Sequence, residues 1–120
     1  MKIAVTAQGP GLEDLVDPRF GRAAYILIID QQTREVVEAV DNMKNIQAFK
    51  GAGIQAATMV SDKGAKVLLT GYCGPNAFTT LKAAGVQVVN DVTGTVAEAL
   101  ATFARGDVQY SEQPNTDGHW

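Results

Sequence analysis

Cysteine and histidine are nearly missing from this chain: among 120 residues there is one of each, Cys73 and His119. A lone cysteine closes no internal disulfide, and no Cys or His pair has zinc spacing, so neither staple holds the body together. With its one histidine beside the last residue, the body also lacks the imidazole that general acid–base catalysis and Ser-His or Cys-His dyads use most often. A catalytic function is therefore not expected. The apolar runs stop far short of the roughly 18 residues that a membrane span needs. Met1-Lys2-Ile3-Ala4-Val5 reaches Gly9-Pro10-Gly11 too soon to hold a secretory h-region, so a cytoplasmic protein is expected. Charge of one sign is scarce as well. Ten basic against thirteen acidic residues leave −3, too small an imbalance for binding nucleic acid or an anionic membrane through bulk electrostatics, so any anion site must be local.

What is present is the composition of one folded domain, with 46% hydrophobic and 19% charged residues. Residues 2–7 (KIAVTA) form a short apolar run that ends in Gly-Pro-Gly, as a buried strand before a loop does. Residues 24–30 (AYILIID) and 34–41 (REVVEAVD), with Gln31-Gln32-Thr33 between them, predict a hairpin whose second strand lies nearer an edge. Beyond residue 42 the period lengthens. Ile54, Ala57, Thr58 and Ser61 share a helical face over about 53–63, and Gly64 follows as a stop. KVLLT (66–70) predicts a strand, Pro75 opens a helix that continues through 76–84, VQVV (86–89) predicts a fifth strand, and Thr93 or Thr95 caps a last helix ending near Gly106. The alternation predicts an α/β fold in three layers: a mixed five-stranded sheet with one antiparallel strand and helices on both faces. Residues 1–106 make the domain, and 107–120 read as a polar tail.

Strand direction then decides which loops share an end. With the first strand pointing up, the hairpin sends 24–30 down and 34–41 up, and right-handed crossovers send 66–70 and 86–89 up. Loops 8–23, 42–53, 71–76 and 90–95 gather at the upper end, where open α/β sheets bind ligands. The amino termini of all three helices arrive there too, each a source of unpaired N–H groups and of a favourable dipole worth roughly 0.3–1 kcal/mol to a nearby anion. Arg19, Arg22, Lys44 and Lys50 fall in the same loops.

Several motifs at this rim admit more than one reading. Gly51-Ala52-Gly53-Ile54-Gln55-Ala56 has the outline of a dinucleotide loop. No buried strand precedes it, however, so it reads as a tight turn into a helix whose start still suits an anion. Arg19-Phe20-Gly21-Arg22 sets a guanidinium on each side of Phe-Gly, either facing a bound anion, with the ring shielding it or tucked beneath it, or simply as solvated arginines. Cys73, in Tyr72-Cys73-Gly74-Pro75 at a helix start, is expected to have a lowered pKa and to be a soft-metal ligand, against the alternative of an inert loop cysteine. Met43 and Met59 are potential soft donors or simple filler. Strands 2–7 and 66–70 hold no carboxylate, which argues against a metal-dependent nuclease.

Taken in order, Arg19-Phe20-Gly21-Arg22-Ala23, Gly51-Ala52-Gly53-Ile54-Gln55-Ala56-Ala57, Gly74-Pro75-Asn76-Ala77-Phe78, Ala84-Gly85-Val86 and Gly94-Thr95-Val96 resemble the dinitrogenase iron-molybdenum cofactor biosynthesis family over residues 1 to about 106. The resemblance implies a ribonuclease H-like fold without nuclease acids. It also implies a small, non-catalytic protein that carries or stores an anionic molybdenum-containing metal–sulfur cluster, with iron or copper, and meets cofactor-assembly or acceptor proteins. Some members use a histidine on the body of the domain, which this chain lacks, so imidazole ligation is not expected. The site that follows comprises Arg19, Gly21, Arg22, Lys50, Gly51, Gly53, Gly74 and Asn76 as an electrostatic cradle; the resemblance assigns Cys73 no role, and its place as a soft-metal contact rests on its own position at a helix start. The same rim would also serve an enzyme or sensor acting on a small phosphorylated metabolite, or a module that docks an acidic peptide.

Overall fold

The computed structural model describes residues 1–42 and 52–114. Strands β1 (Lys2–Ala7), β2 (Tyr25–Asp30) and β3 (Val36–Asp41) are followed by helix α1 (Ala52–Asp62), β4 (Ala65–Leu69), α2 (Pro75–Ala83), β5 (Gln87–Val89) and α3 (Val96–Ala104). They build a five-stranded mixed sheet in the order β3-β2-β1-β4-β5. β2 is antiparallel to both neighbours, and β1, β4 and β5 are parallel. The expected strand directions therefore hold, and the loops after β1, β3, β4 and β5 leave from one end.

The alternation along the strands separates two apolar clusters. Ala4, Ile26, Ile28, Leu68 and Val88 pack with Ala56, Ala57 and Val60 of α1 and with Ala77, Phe78 and Leu81 of α2. Their strand neighbours Ile3, Val5, Leu27, Ile29, Val67, Leu69 and Val89 pack instead with Val96, Ala99 and Leu100 of α3. Strands buried on both faces need apolar residues at every position, which is why AYILIID reads as a continuous run. β3, at the edge, is mostly exposed. Its turn is closed by Asp30, whose carboxylate accepts the N–H groups of Gln32 (2.9 Å) and Thr33 (3.1 Å).

Two expectations change. The buried face of α1 is rotated from the one expected: Ala56, Ala57 and Val60 are fully buried, whereas Ile54 is 40% exposed. Small alanines face α2 because the two helices approach closely; a methyl group built at Gly53 would lie 3.3 Å from the Cβ of Ala77. The segment after α3 is also not a loose tail where it is described. The Ser111 N–H donates to the Val88 carbonyl at 2.7 Å, the Asn90 side-chain amide donates to the Ser111 hydroxyl at 2.9 Å, and Val108 packs against the second cluster. It borders the β5 edge that a free tail would leave open.

Candidate functional site

Loop 8–23 is the scaffold of the upper end, and main-chain pairing holds it there. Leu15 bridges to Thr95, Val16 to Ala7, and Arg19 to Tyr72. The Phe20 N–H donates to the Tyr72 carbonyl (3.0 Å) and the Tyr72 N–H to the Pro18 carbonyl (2.6 Å), which locks the arginine loop to the turn before α2. Gly71 lies flat against Pro18. A Cβ there would fall 2.7 Å from Pro18 backbone atoms, so a side chain at this position would force the two loops apart. Gly21 turns the loop at φ 91°, a region open to glycine at little cost. Buried Asn42 then clasps it, donating from its side-chain amide to the Ala23 carbonyl at 2.9 Å.

Phe20 is tucked beneath the rim. It is 3% exposed and shares the first cluster with Cys73, Ala77 and Phe78. The two arginines flanking it differ in environment: the Arg19 side chain is half exposed, and Arg22 is half-buried. Gly74 caps α2 without any side-chain hydrogen bond, and Pro75 at the first helical position has no N–H to offer. Among the described residues, neither the Asn76 nor the Ala77 N–H has an acceptor, so the first turn of α2 presents donors. Gly53, through its contact with Ala77, brings the start of α1 beside that turn. Arg19, Gly21, Arg22, Cys73, Gly74, Asn76 and Gly53 thus converge, while Lys50 and Gly51 lie outside the described residues. So do Met43, Lys44 and His119. Met59 packs against the first cluster as filler.

The geometry corrects two sequence-based expectations. Cys73 has no exposed thiolate: its side chain is fully buried, and burial pushes the thiol up to about 12, the reverse of the expected lowering. The cause is desolvation of the sulfur, which belongs to the first apolar cluster. The amino terminus of α3, moreover, does not contribute to the rim. Its N–H groups are already taken, Val96 by the Asp14 carbonyl (2.9 Å), Ala97 by the Leu12 carbonyl (2.9 Å) and Glu98 by the Thr95 hydroxyl (3.1 Å). The Thr95–Glu98 capping box completes that end.

Sequence reasoning missed Asp17. The residue is 4% exposed beneath the arginine loop, where its carboxylate accepts the Arg19 N–H at 3.1 Å and the Ala24 N–H at 3.4 Å and lies 3.7 Å from Arg19 Nε. The signal was an acid two residues ahead of Arg19, which a search for acids inside strands passes over. The buried hydroxyl pair Thr6–Thr70 (2.8 Å) was missed as well; Thr6 also donates to the Asp17 carbonyl. A separate cavity of about 710 Å³ opens between the ends of β4 and β5, α3 and the 107–114 segment. Asp91, Asp107 and Glu112 line it and, among the described residues, no Lys or Arg does, which suits it poorly to an anion. Among the described residues no group of three or more His, Cys, Asp or Glu could hold a metal ion, and no helix is long and apolar enough to cross a membrane.

Comparison with known proteins adds the following. The family profile described as dinitrogenase iron-molybdenum cofactor matches residues 1–106. The apo form of the orange protein from Desulfovibrio gigas is 50% identical, with 96% of each chain covered and a TM-score of 0.92. A candidate NifB protein from Thermotoga, of the DUF35 family, is 35% identical over 98% of both chains with a TM-score of 0.82. An uncharacterized protein of Methanocaldococcus jannaschii is 25% identical over 93% of this chain and 92% of its own.

Proposed function

This chain belongs to the dinitrogenase iron-molybdenum cofactor family, and from that premise we propose that it carries or stores an anionic molybdenum-containing metal–sulfur cluster without catalysing a reaction on it. The observation that carries this reading is the locked pair of loops. Backbone pairing of Phe20, Tyr72 and Pro18 sets the Arg19 loop against the open first turn of α2. In this reading the cationic side chains of that loop and the N–H groups of the helix start act on one cargo. A cluster with sulfide edges accepts such hydrogen bonds and supplies its own negative charge, so the protein need provide only a preorganised positive surface. In this reading Arg19, Gly21, Arg22, Gly53, Gly74 and Asn76 cradle the cargo together with Lys50 and Gly51. Attachment is electrostatic: Cys73 forms part of the apolar floor, because ligation would require a thiolate that burial disfavours.

The 50% identity to the orange protein favours a carrier of the molybdenum–copper sulfide type over an iron-molybdenum precursor carrier. The strand order, with β2 the only antiparallel member and different helices packed on the two faces, supports a three-layer, ribonuclease H-like body. A cytoplasmic carrier that hands its cargo to assembly or acceptor proteins, with no nucleic acid or membrane partner, fits the small net charge.

The test is anaerobic mixing of apo-protein with tetrathiomolybdate, alone and with copper(I) or iron(II), followed by desalting. Visible charge-transfer bands should travel with the protein, most strongly with copper. If the colour washes away in every mixture while a sugar phosphate or nucleotide raises the melting temperature, the cluster reading fails and a phosphorylated metabolite takes its place.

A further inference from the structure

Asp17 and Arg19 form an uneven ion pair. The carboxylate cannot move: it accepts the Arg19 and Ala24 N–H groups, while its own backbone is tied to Thr6 in both directions, N–H to carbonyl at 2.9 Å and carbonyl from hydroxyl at 2.7 Å. The guanidinium, on a half-exposed side chain, has its Nε 3.7 Å from Asp17 Oδ1, an ion-pair distance beyond hydrogen bonding. Its two terminal nitrogens carry four of the guanidinium's five N–H donors, the group that an external anion would grip. The buried carboxylate beneath is a fixed negative charge, poorly screened by solvent, and it repels any anion brought to that group.

We infer that Asp17 is a positioning residue that holds Arg19 in an internal ion pair and thereby limits how tightly the rim grips its anionic cargo. This rests on the cluster reading of the same site. Orientation and restraint come from one group: Asp17 aims Arg19 at the cargo and cancels part of its charge, so that the cargo is held loosely enough to leave.

The experiment compares tetrathiomolybdate binding, read by the visible bands, in wild type, Asp17→Asn, Arg19→Ala and the double variant, at low and high salt. Asp17→Asn should bind roughly three- to tenfold tighter, with a steeper salt dependence, because the site gains a net positive charge. In the Arg19→Ala background the same change should tighten binding by a clearly smaller factor, because only the direct repulsion between Asp17 and the anion is then relieved. A purely structural role for Asp17 would make the two effects equal, and that result overturns the inference, as does an Asp17→Asn protein that binds like wild type or more weakly. In case Asp17→Asn does not fold, the Arg19 Nε–H resonance of the wild type is followed by NMR during titration. A shift on adding thiomolybdate is expected, and an unmoved signal overturns the inference. Wild type that binds no thiomolybdate overturns the cluster reading itself, and this inference with it, whereas binding wild type with unresponsive variants overturns the inference alone.

Discussion

The rim around Arg19 and the cavity beside α3 both border the ends of β4 and β5, yet their chemistry is opposite. The rim has a half-exposed guanidinium and a helix start whose first N–H groups lack acceptors among the described residues. The cavity has carboxylates, and the helix beside it begins with its N–H groups already satisfied by Asp14, Leu12 and Thr95. Position at the carboxyl end of a parallel sheet is thus no guarantee of an anion site. What decides is whether the chain's own carbonyls and carboxylates have consumed the donors.

The sharpest way to break this comparison is to remove the rim's charge. Replacing Arg19 and Arg22 together with Ala should weaken thiomolybdate binding about a hundredfold, if each charge-assisted contact is worth roughly 1.5 kcal/mol. The paired cavity change, Asp107→Asn with Glu112→Gln, should leave binding within about twofold, measured in the same spectroscopic titration. Equal losses from both pairs would erase the distinction between the regions.

Gly71→Ala probes the lock between the loops. Its Cβ would collide with Pro18 backbone at 2.7 Å, and overpacking of this kind costs about 1–3 kcal/mol, read as a lower urea midpoint together with weaker cargo binding. Cys73→Ala asks whether the floor matters chemically. Cargo binding should persist within about twofold, and stability should fall by roughly 1 kcal/mol for the small cavity. In the native wild type the thiol should resist a disulfide reagent at neutral pH, because burial pushes it up to about 12, and should react once the protein is unfolded in urea.

The smallest effects belong to the satisfied helix and the hairpin. Thr95→Ala removes half of the capping box and should cost about 1 kcal/mol, without changing cargo affinity. Backbone N–H groups hold two carboxyls below their ordinary values, Asp30 through Thr33 and Gln32, and Glu98 through Thr95. A lowered folded pKa gives stability that is present above the unfolded value and lost as acid protonates the folded group. Urea midpoints should therefore decline as pH falls below the ordinary values of 3.8 and 4.5, and Asp30→Asn with Glu98→Gln should flatten that decline.

The α/β order, the hairpin, the edge position of β3 and the gathering of loops at one end could all be read from residue pattern. Period, glycine stops, Pro75 and chain direction are local properties, and local properties survive in a linear string. The Arg-Phe-Gly-Arg and Gly-Pro-Asn-Ala motifs carried the family for the same reason. Which alanines of α1 face α2, whether Cys73 is wet or dry, which helix start still has donors to give and that Asp17 sits under Arg19 were decided only by the fold. Each depends on what residues distant in the chain place alongside: Ala77 against Gly53, Phe20 and Phe78 in one cluster with Cys73, and Asp14 and Leu12 over the start of α3. Burial and hydrogen-bond satisfaction are properties of neighbours in space, and a chain acquires those neighbours only by closing on itself.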